Sequence, residues 1–380
     1  MSASPLEPAL LERLRSAPYP AIGVREGMVS ACNAAAADLF GLPADETEIS
    51  APVDIYLSGE AALAFHKLTA SGGQAARTQS EWMDRGYHVD ILAQNGQALL
   101  VFIPRGPAGD DHMPQFMMRL DSHIRKQLTP LMASLGQMVS ETDAVDEKTM
   151  RYLSEARRSV FSLLRMSNNL RDSAKCFGTL DYFDPELCDL ARLCRQTTEL
   201  AGLSAGYSGV KVAFTCAEEP LVAAADPDKV ERVLYNLLSN AVRHSPKGGT
   251  VRVSLSHTED HVILCVRDEG AGMDVGQLAG VFDEYRHFSM DEPSPGLGLP
   301  LAAAYAAQHG GAIFLESKAK AGTTVTVTFP YSTDGDIPVG TLPPDYTGEF
   351  PHFLVELSDL PGTAPLYGSR AELDALLEKI

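Results

Sequence analysis

The chain has little positive charge, no paired cysteines and no long apolar run. Its 380 residues carry 31 Lys and Arg against 50 Asp and Glu, for a net charge of −19. Non-specific binding to nucleic acid needs a cationic surface that displaces counterions, so this balance predicts no nucleic-acid partner. The six cysteines are dispersed without a Cys-x-x-Cys pair, which favours reduced thiols over a zinc site or a disulfide framework.

Segments that would direct the chain to a membrane are also missing. No run approaches the ~20 apolar residues that a transmembrane helix needs, and residues 1–8 lack the basic and apolar regions of a signal peptide. These features predict a cytoplasmic protein without a membrane span. The length predicts about two to four modules, and 45% apolar residues are ordinary for folded domains.

Residues 226–245 predict a helix that carries two asparagines on one face. Asp226 and Pro227 suit the N-cap and the first helical position. Asn236 and Asn240 lie four residues apart, so their carboxamides can share one ligand or ion. Carboxamide oxygens suit Mg²⁺, which takes few protein ligands and keeps most of its waters. Capping or core hydrogen bonding is the alternative for each asparagine taken alone.

Three glycine-bearing segments follow this helix, at Asp268–Gly272, Pro295–Pro300 and Ala321–Val327. The first follows a predicted strand, His261–Arg267, and its glycines would let the backbone approach a ligand without a Cβ in the way. The second opens a helix predicted over 300–309, whose N-terminal amides would favour phosphate. This order of segments is specific.

The ordered segments resemble the catalytic, ATP-binding domain of bacterial sensor histidine kinases, in the ATPase superfamily that includes gyrase, heat-shock chaperones and mismatch-repair proteins. The resemblance covers roughly residues 180–330 and implies a two-layer α/β sandwich that binds ATP and Mg²⁺. Asp268 resembles the residue that accepts a hydrogen bond from the adenine amino group. The residues implied for ATP are Asn236, Asn240, Arg243, Asp268, Gly270, Gly272, Gly296, Leu297, Gly298 and Thr323, and Asn236 and Asn240 would also serve Mg²⁺.

Three further positions bear on the chemistry that this resemblance implies. Asn236 stands where ATP-hydrolysing members carry glutamate, and an amide cannot take a proton from water, so hydrolysis is disfavoured. Residues 273–295 resemble the lid over ATP, where Ser294 replaces a usual glycine. His244 could act as a base, but a positional or surface role is favoured.

The N-terminal part resembles a PAS sensory domain over 18–105, preceded by an amphipathic helix within 1–17. Strands are predicted at Ala21–Arg25 and Met28–Cys32, an alanine-rich helix ends at Gly41, and Asn95-Gly96 predicts a long hairpin. Cofactor contacts could be offered by His66, Trp82 and His88, but no haem or flavin motif accompanies them, which favours core packing or exposure.

A helical hairpin is predicted over 112–175 from two apolar stripes. The stripes consist of Ile124, Leu128, Leu131, Leu135 and Met138, and of Leu153, Ala156, Val160, Leu163, Ser167 and Leu170. One hairpin cannot bury such stripes alone, so a homodimer with a four-helix bundle is expected. The histidine kinase family keeps its dimerisation and phosphoacceptor module at this place in the chain.

The phosphoacceptor motif is irregular. The family carries a histidine followed by an acid, five positions before a Pro-Leu pair; here the pair is Pro130-Leu131 and the position is Arg125. His123 lies two residues upstream, which turns its side chain by roughly 200° around the helix. Two alternatives are weighted equally for His123: it is the phosphoacceptor, or it is an exposed histidine with no catalytic role. Asp121 or a group from another domain would have to replace the missing acid.

The whole chain is therefore predicted to be an α+β multidomain protein with a PAS-like α/β sensor domain, a dimerisation hairpin and an ATP-binding domain. The expected function is that of a cytosolic sensor histidine kinase, which autophosphorylates and passes the phosphoryl group to a response-regulator receiver domain. One alternative is an ATP-binding signalling module without autokinase activity. A weaker alternative is a serine kinase of the anti-sigma type, which the predicted dimerisation hairpin disfavours. Residues 331–380 predict a linker, a strand at Phe353–Leu357 and a helix from Ser369 to Ile380, without an assigned role.

Overall fold

The computed structural model describes residues 6–43, 49, 51–71, 74–83, 85–104, 112–140, 147–176, 183–278, 281–282, 296–333 and 352–367. Most of the predicted lid, including Ser294, lies outside these residues, as do the linkers at 106–111 and 334–350 and the helix predicted from Ser369. Within the described part of the chain, none of the helices combines the length and apolar composition of a bilayer span.

The N-terminal part is an antiparallel sheet with helices on both faces. Its elements are α1 Pro8–Ser16, β1 Ala21–Arg25, β2 Met28–Cys32, α2 Ala34–Phe40, β3 Ala51–Pro52, α3 Glu60–Ser71, β4 Ala75–Trp82, β5 Arg85–Gln94 and β6 Gln97–Pro104. The strand order is β3-β2-β1-β6-β5-β4. Successive residues of β6 point to opposite faces: Leu99 belongs to the core that includes α1, and Leu100 to the core of α2 and α3.

Local sequence signals explain the turns of this part. The Asn33 side chain caps α2 by accepting a hydrogen bond from the Ala36 amide, and it also accepts one from the Ala21 amide. Gly41 ends the helix in the left-handed conformation at φ 65°. Asn95 and Gly96 both have positive φ angles, as the tight turn between β5 and β6 requires. The predicted helix end at Gly41 and the predicted turn at Asn95-Gly96 are confirmed, and the Asn33 cap is an additional finding.

The helical hairpin consists of α4 His112–Ser140 and α5 Glu147–Cys176. Its two helices pack through Leu128, Leu135, Leu153 and Val160. Other residues of the two predicted stripes are exposed: Leu131, Met138 and Leu163 are 46%, 53% and 50% exposed. The hairpin therefore buries one apolar face within itself and leaves a second face exposed.

The C-terminal part is an α/β domain. Its elements are β7 Glu186–Asp189, α6 Leu190–Tyr207, β8 Lys211–Cys216, β9 Val222–Ala225, α7 Pro227–His244, β10 Thr250–His257, β11 His261–Arg267, α8 Val275–Leu278, α9 Gly298–Gln308, β12 Ala312–Ser317 and β13 Thr323–Pro330. The main sheet has the order β12-β13-β11-β10-β8, and β7 pairs with β9. Helices α6, α7 and α9 share one apolar core with the main sheet, as the predicted α/β layout requires.

The N-terminal and C-terminal sheets are joined edge to edge, which the sequence did not predict. Strand β4 pairs with β12 antiparallel, with Ala76 opposite Phe314, so that a single sheet of eleven strands results. The Gln79 side-chain amide donates to the Ala307 carbonyl oxygen over 2.5 Å. Both strands are edges of their own sheets, and the pairing satisfies backbone groups that an open edge leaves unpaired.

The strand predicted at Phe353–Leu357 is wrong. The structure has a short helix, α10 His352–Glu356, and all five of its residues are buried. Helices α5, α6 and α7 surround this segment, so it meets side chains and no open strand edge. A helix satisfies its backbone groups within the segment, which a buried strand without a neighbour cannot do. A 3₁₀ turn at Ala364–Tyr367 follows.

We expect Asn33→Ala to lower the free energy of unfolding of the N-terminal part by about 1–2 kcal/mol, because α2 loses its cap and a buried amide loses its acceptor. Asn33→Asp keeps the accepting oxygen but loses the hydrogen bonds that Asn33 Nδ2 donates to the Ala17 and Tyr19 carbonyl oxygens, over 3.3 and 2.8 Å, so it should destabilise this part as well. Trp82 is the only tryptophan of the chain and lies in this part, so its fluorescence in a urea titration reports on this unfolding alone. Equal stability of the wild type and Asn33→Ala would contradict the prediction.

Candidate ATP-binding site

Helix α7 places the two asparagines at the centre of the C-terminal domain. The Asp226 carboxylate caps the helix by accepting a hydrogen bond from the Lys229 amide over 3.2 Å, and Pro227 occupies the first turn. The apolar stripe that fixes the rotation of the helix is buried and consists of Val230, Val233, Leu234 and Leu237. This rotation leaves Asn236 only 3% exposed.

The Asn236 side chain is under-satisfied. Its Oδ1 atom is buried and has no hydrogen-bond partner among the described residues. A buried polar atom without a partner costs about 1–3 kcal/mol, a cost that a bound metal ion or ligand group would remove. Asn240 lies one turn farther on and is half-buried. An amide oxygen here fits the ligand preference of Mg²⁺.

The second glycine segment lies directly against Asn236. A Cβ atom on Gly298 would come within 3.3 Å of Asn236 Oδ1. Gly296 has a φ of 70°, and Leu297, 1% exposed, anchors the start of α9 in the core. The first amides of α9 therefore begin beside the unpartnered oxygen, where a phosphate would meet both the helix dipole and the metal.

Asp268 extends from the end of β11 and presents an ordered carboxylate. Its Oδ1 atom accepts hydrogen bonds from the amides of Gly270, over 2.7 Å, and Thr323, over 3.2 Å. Both donors meet the same oxygen, which leaves Oδ2 able to accept from a ligand. Burial raises the pKa of this carboxyl, and the two amides and the nearby His244 oppose that rise.

The glycines of the first segment are required by close backbone packing. A Cβ on Gly270 would lie 2.5 Å from the His244 carbonyl oxygen, at the end of α7. Gly272 has a φ of 65°, and a Cβ there would overlap the Lys318 carbonyl oxygen. The sequence interpretation was that these glycines admit a ligand. In the structure Gly270 lets the Asp268 loop pack against the end of α7, and Gly272 lets it pack against the backbone at Lys318.

Arg243 has a different partner from the predicted phosphate. Its guanidinium forms an ion pair with Asp359, which is buried in the C-terminal segment. The structure thus places Gly298 against Asn236. It also gathers Asp268, Gly270 and Thr323 at the end of β11, with Gly270 beside the end of α7. Arg243 is directed to a neighbouring segment, and its contact with phosphate stays a prediction.

The residues offered as sensor-domain cofactor contacts occupy ordinary positions. His66 is exposed and pairs with Asp54 over 2.8 Å. Trp82 packs edge-on against Phe40, with ring centroids 5.2 Å apart. His88 is half-buried in β5. These placements agree with the packing and exposure that the sequence favoured.

Position 125, where the family carries histidine, is part of a polar network between α4 and α5. The Arg125 guanidinium donates to Asp121 over 2.9 Å and to the Asn168 side-chain oxygen. Ser167 donates to the same Asp121 carboxylate. His123 is exposed. Asp121 is therefore bound on the α5 side and is not the acid that His123 lacks, although the i,i+4 spacing of Asp121 and Arg125 could have signalled this pair.

Comparison with known proteins identifies the class of the C-terminal domain. Residues 225–333 match the model of the histidine kinase-, DNA gyrase B- and HSP90-like ATPase family. The chain is related to bacterial sensor histidine kinases. It is 27% identical over 234 residues to the sensor histidine kinase WalK of Bacillus subtilis, covering 59% of this chain and 38% of WalK.

Two further comparisons agree. The chain is 29% identical over 204 residues to the sensor protein DivL of Caulobacter vibrioides, covering 53% of this chain and 26% of DivL. Full-length ShkA in complex with AMPPNP is similar in fold, with a TM-score of 0.50 and 22% identity over 58% of this chain and 47% of ShkA. The chain thus spans less than half the length of WalK and DivL.

We expect Asp268→Asn to weaken ADP binding at least about tenfold, or ~1.4 kcal/mol. The asparagine Oδ1 can keep the hydrogen bonds from both backbone amides. Its NH₂ group then faces the adenine amino group, and two donors meet without an acceptor. Glu269→Gln is the matched control, because Glu269 is exposed and pairs with Arg252 over 2.7 Å. Isothermal calorimetry measures both variants, and unchanged affinity in Asp268→Asn would contradict an adenine contact.

Proposed function

We propose that the chain is an ATP-dependent protein histidine kinase, which autophosphorylates on His123 and passes the phosphoryl group to an aspartate of a response regulator. The observation that carries this proposal is the buried Asn236 oxygen without a partner, beside the start of α9. Kinship with sensor histidine kinases supports it. A cytosolic location and the response-regulator partner are predictions from the sequence resemblance.

The described residues fit ATP and Mg²⁺. Bound Mg-ATP would supply the transferable phosphoryl group and neutralise its charge. Asn236 and Asn240 would hold the metal through their amide oxygens, the first amides of α9 would bind phosphate, and Asp268 would select adenine. Because the Asn236 amide has no proton-accepting capacity at neutral pH, the site does not activate water, and the phosphoryl group is preserved for a protein nucleophile.

His123 would act as the nucleophile in its neutral form. An imidazole nitrogen forms a bond to the γ-phosphorus, the bond from that phosphorus to the bridging β,γ-oxygen breaks, and ADP leaves. The imidazole N–H proton goes to solvent or to a base. The Asp121 carboxylate accepts hydrogen bonds from Arg125 and Ser167 and is therefore not available to take the proton of His123. We expect phosphoryl transfer to be slow for this reason.

Substitution of His123 tests the acceptor. Incubation of the purified chain with γ-labelled ATP should give acid-labile label, and His123→Ala should abolish it. His66→Ala is the matched control, since His66 is also exposed and should leave labelling unchanged. Label that survives in His123→Ala would exclude this histidine as acceptor.

A second function is favoured by the Arg125 network. An arginine that bridges α4 and α5 at the expected histidine position suits an ATP-binding signalling module that has lost its acceptor and works through a partner kinase or regulator. This alternative predicts nucleotide binding in the calorimeter without acid-labile label. Acid-stable label on a partner protein would instead favour a serine kinase of the anti-sigma type.

The N-terminal part and the hairpin would carry the signal and the dimer interface. The N-terminal part has the strand, turn, strand, helix and hairpin order that suggested a PAS domain, and β4 joins it to β12 of the ATP domain. The exposed apolar face of the hairpin includes Leu131 and Leu163. A second copy of the chain would cover this face in a four-helix bundle.

We expect the double variant Leu131→Asp, Leu163→Asp to weaken homodimerisation at least about tenfold, because two charges would be buried without partners at the interface. Sedimentation velocity over a concentration series measures the change. Leu63→Asp is the control, since Leu63 is 60% exposed but lies in the N-terminal part. A double variant that dimerises like the wild type would place the interface elsewhere.

A further inference from the structure

The C-terminal segment 352–367 is embedded in the protein rather than lying on its surface. Phe353, Leu357 and Leu360 are completely buried, and Tyr367 is 1% exposed. The Tyr367 ring packs on Phe161 of α5, with centroids 5.2 Å apart. The segment fills a groove between α5, which belongs to the hairpin, and α6 and α7, which belong to the ATP domain.

One carboxylate in this segment connects the two parts. Asp359 has a side chain that is 2% exposed, and it forms ion pairs with Arg165 of α5 and Arg243 of α7. It also accepts a hydrogen bond from Ser239 Oγ over 3.1 Å. Arg165 Nε also lies 3.6 Å from a carboxylate oxygen of Glu356 in the same segment. Guanidinium groups from two different parts of the molecule therefore meet buried carboxylates of this segment, without which they would repel each other.

Backbone contacts secure the segment on the same two surfaces. Arg157 of α5 donates to the Tyr367 carbonyl oxygen over 2.6 Å. On the side of the ATP domain, Ser208 donates to the Pro361 carbonyl oxygen over 2.6 Å. The segment therefore has hydrogen bonds to both surfaces along its length, in addition to the ion pairs of Asp359.

The surface beneath the segment joins the ATP domain to α5. Arg232 of α7 forms an ion pair with Asp172 of α5 over 2.5 Å, and the Gln308 amide of α9 lies 3.5 Å from Cys176 Sγ. Helix α5 is not the helix that carries His123. These contacts hold the ATP domain against α5, the helix of the hairpin without His123.

We propose that residues 352–367 form an intramolecular clip, which binds in the groove between α5, α6 and α7 and holds the ATP domain on the helix that does not carry His123. Opening of the clip frees the ATP domain from α5. The restraint on phosphoryl transfer rests on the proposed kinase function; the clip itself does not.

The test uses Asp359→Asn in the full chain. Hydrogen–deuterium exchange of residues 352–367 measures release of the clip, and the alkylation rate of Cys176, followed by mass spectrometry, measures separation of α5 from the ATP domain. Cys194 is fully buried in α6 and reports global unfolding. Arg157→Ala is a milder second variant, to be used if Asp359→Asn does not fold. Glu219→Gln removes a half-exposed carboxylate paired with Arg195 and is the control.

We expect exchange in the segment to rise at least about tenfold and Cys176 alkylation at least about fivefold in the clip variants, with Cys194 and the control unchanged. The initial rate of labelling from γ-labelled ATP should rise about threefold or more. Unchanged exchange, or a released segment with unchanged Cys176 reactivity, overturns the clip. Faster Cys176 alkylation without faster labelling overturns the restraint on transfer. If no variant and no wild type is labelled, the proposed function fails, and exchange and alkylation still decide the clip.

Discussion

The structure depends on how the polar face of helix α7 is satisfied. Arg232, Asn236, Ser239 and Arg243 follow one another along the helix, and polar groups that are withdrawn from water must find partners. Helix α5 supplies Asp172 to Arg232, and the C-terminal segment supplies Asp359 to Ser239 and Arg243. Of these four side chains, Asn236 has a buried oxygen for which the described residues supply no partner. One face of α7 thus holds α5 and the C-terminal segment against the C-terminal domain.

Sheet pairing connects the N-terminal part to the same domain by a different kind of interaction. Strand β4 shares backbone hydrogen bonds with β12, so a displacement of the N-terminal sheet edge acts on the ATP domain directly. The Arg77 guanidinium also lies over the Phe282 ring, 5.6 Å from its centroid, a short distance along the chain from the first glycine segment. The N-terminal part and Phe282 are therefore neighbours in space.

The described residues support nucleotide binding by more contacts than they support phosphorylation of a histidine. The ATP site combines an unpartnered amide oxygen, a carboxylate ordered by two amides and a helix that begins beside them. The acceptor side has an exposed His123, while the expected position holds Arg125 in a structural network with Asp121 and Asn168. This asymmetry is the reason why binding and transfer need separate experiments.

The sequence by itself determined the features that depend on neighbours along the chain. The cap of α2 at Asn33, the turn at Asn95-Gly96, the start of α7 at Asp226 and the order of the ATP-site segments follow from local conformational preference and spacing. Only the tertiary structure decided that Arg243 meets Asp359, that β4 pairs with β12 and that residues 352–356 form a helix. Each of these outcomes depends on partners more than a hundred residues away in the sequence. A charged side chain, a strand edge or an apolar segment does not specify its partner until the chain is folded.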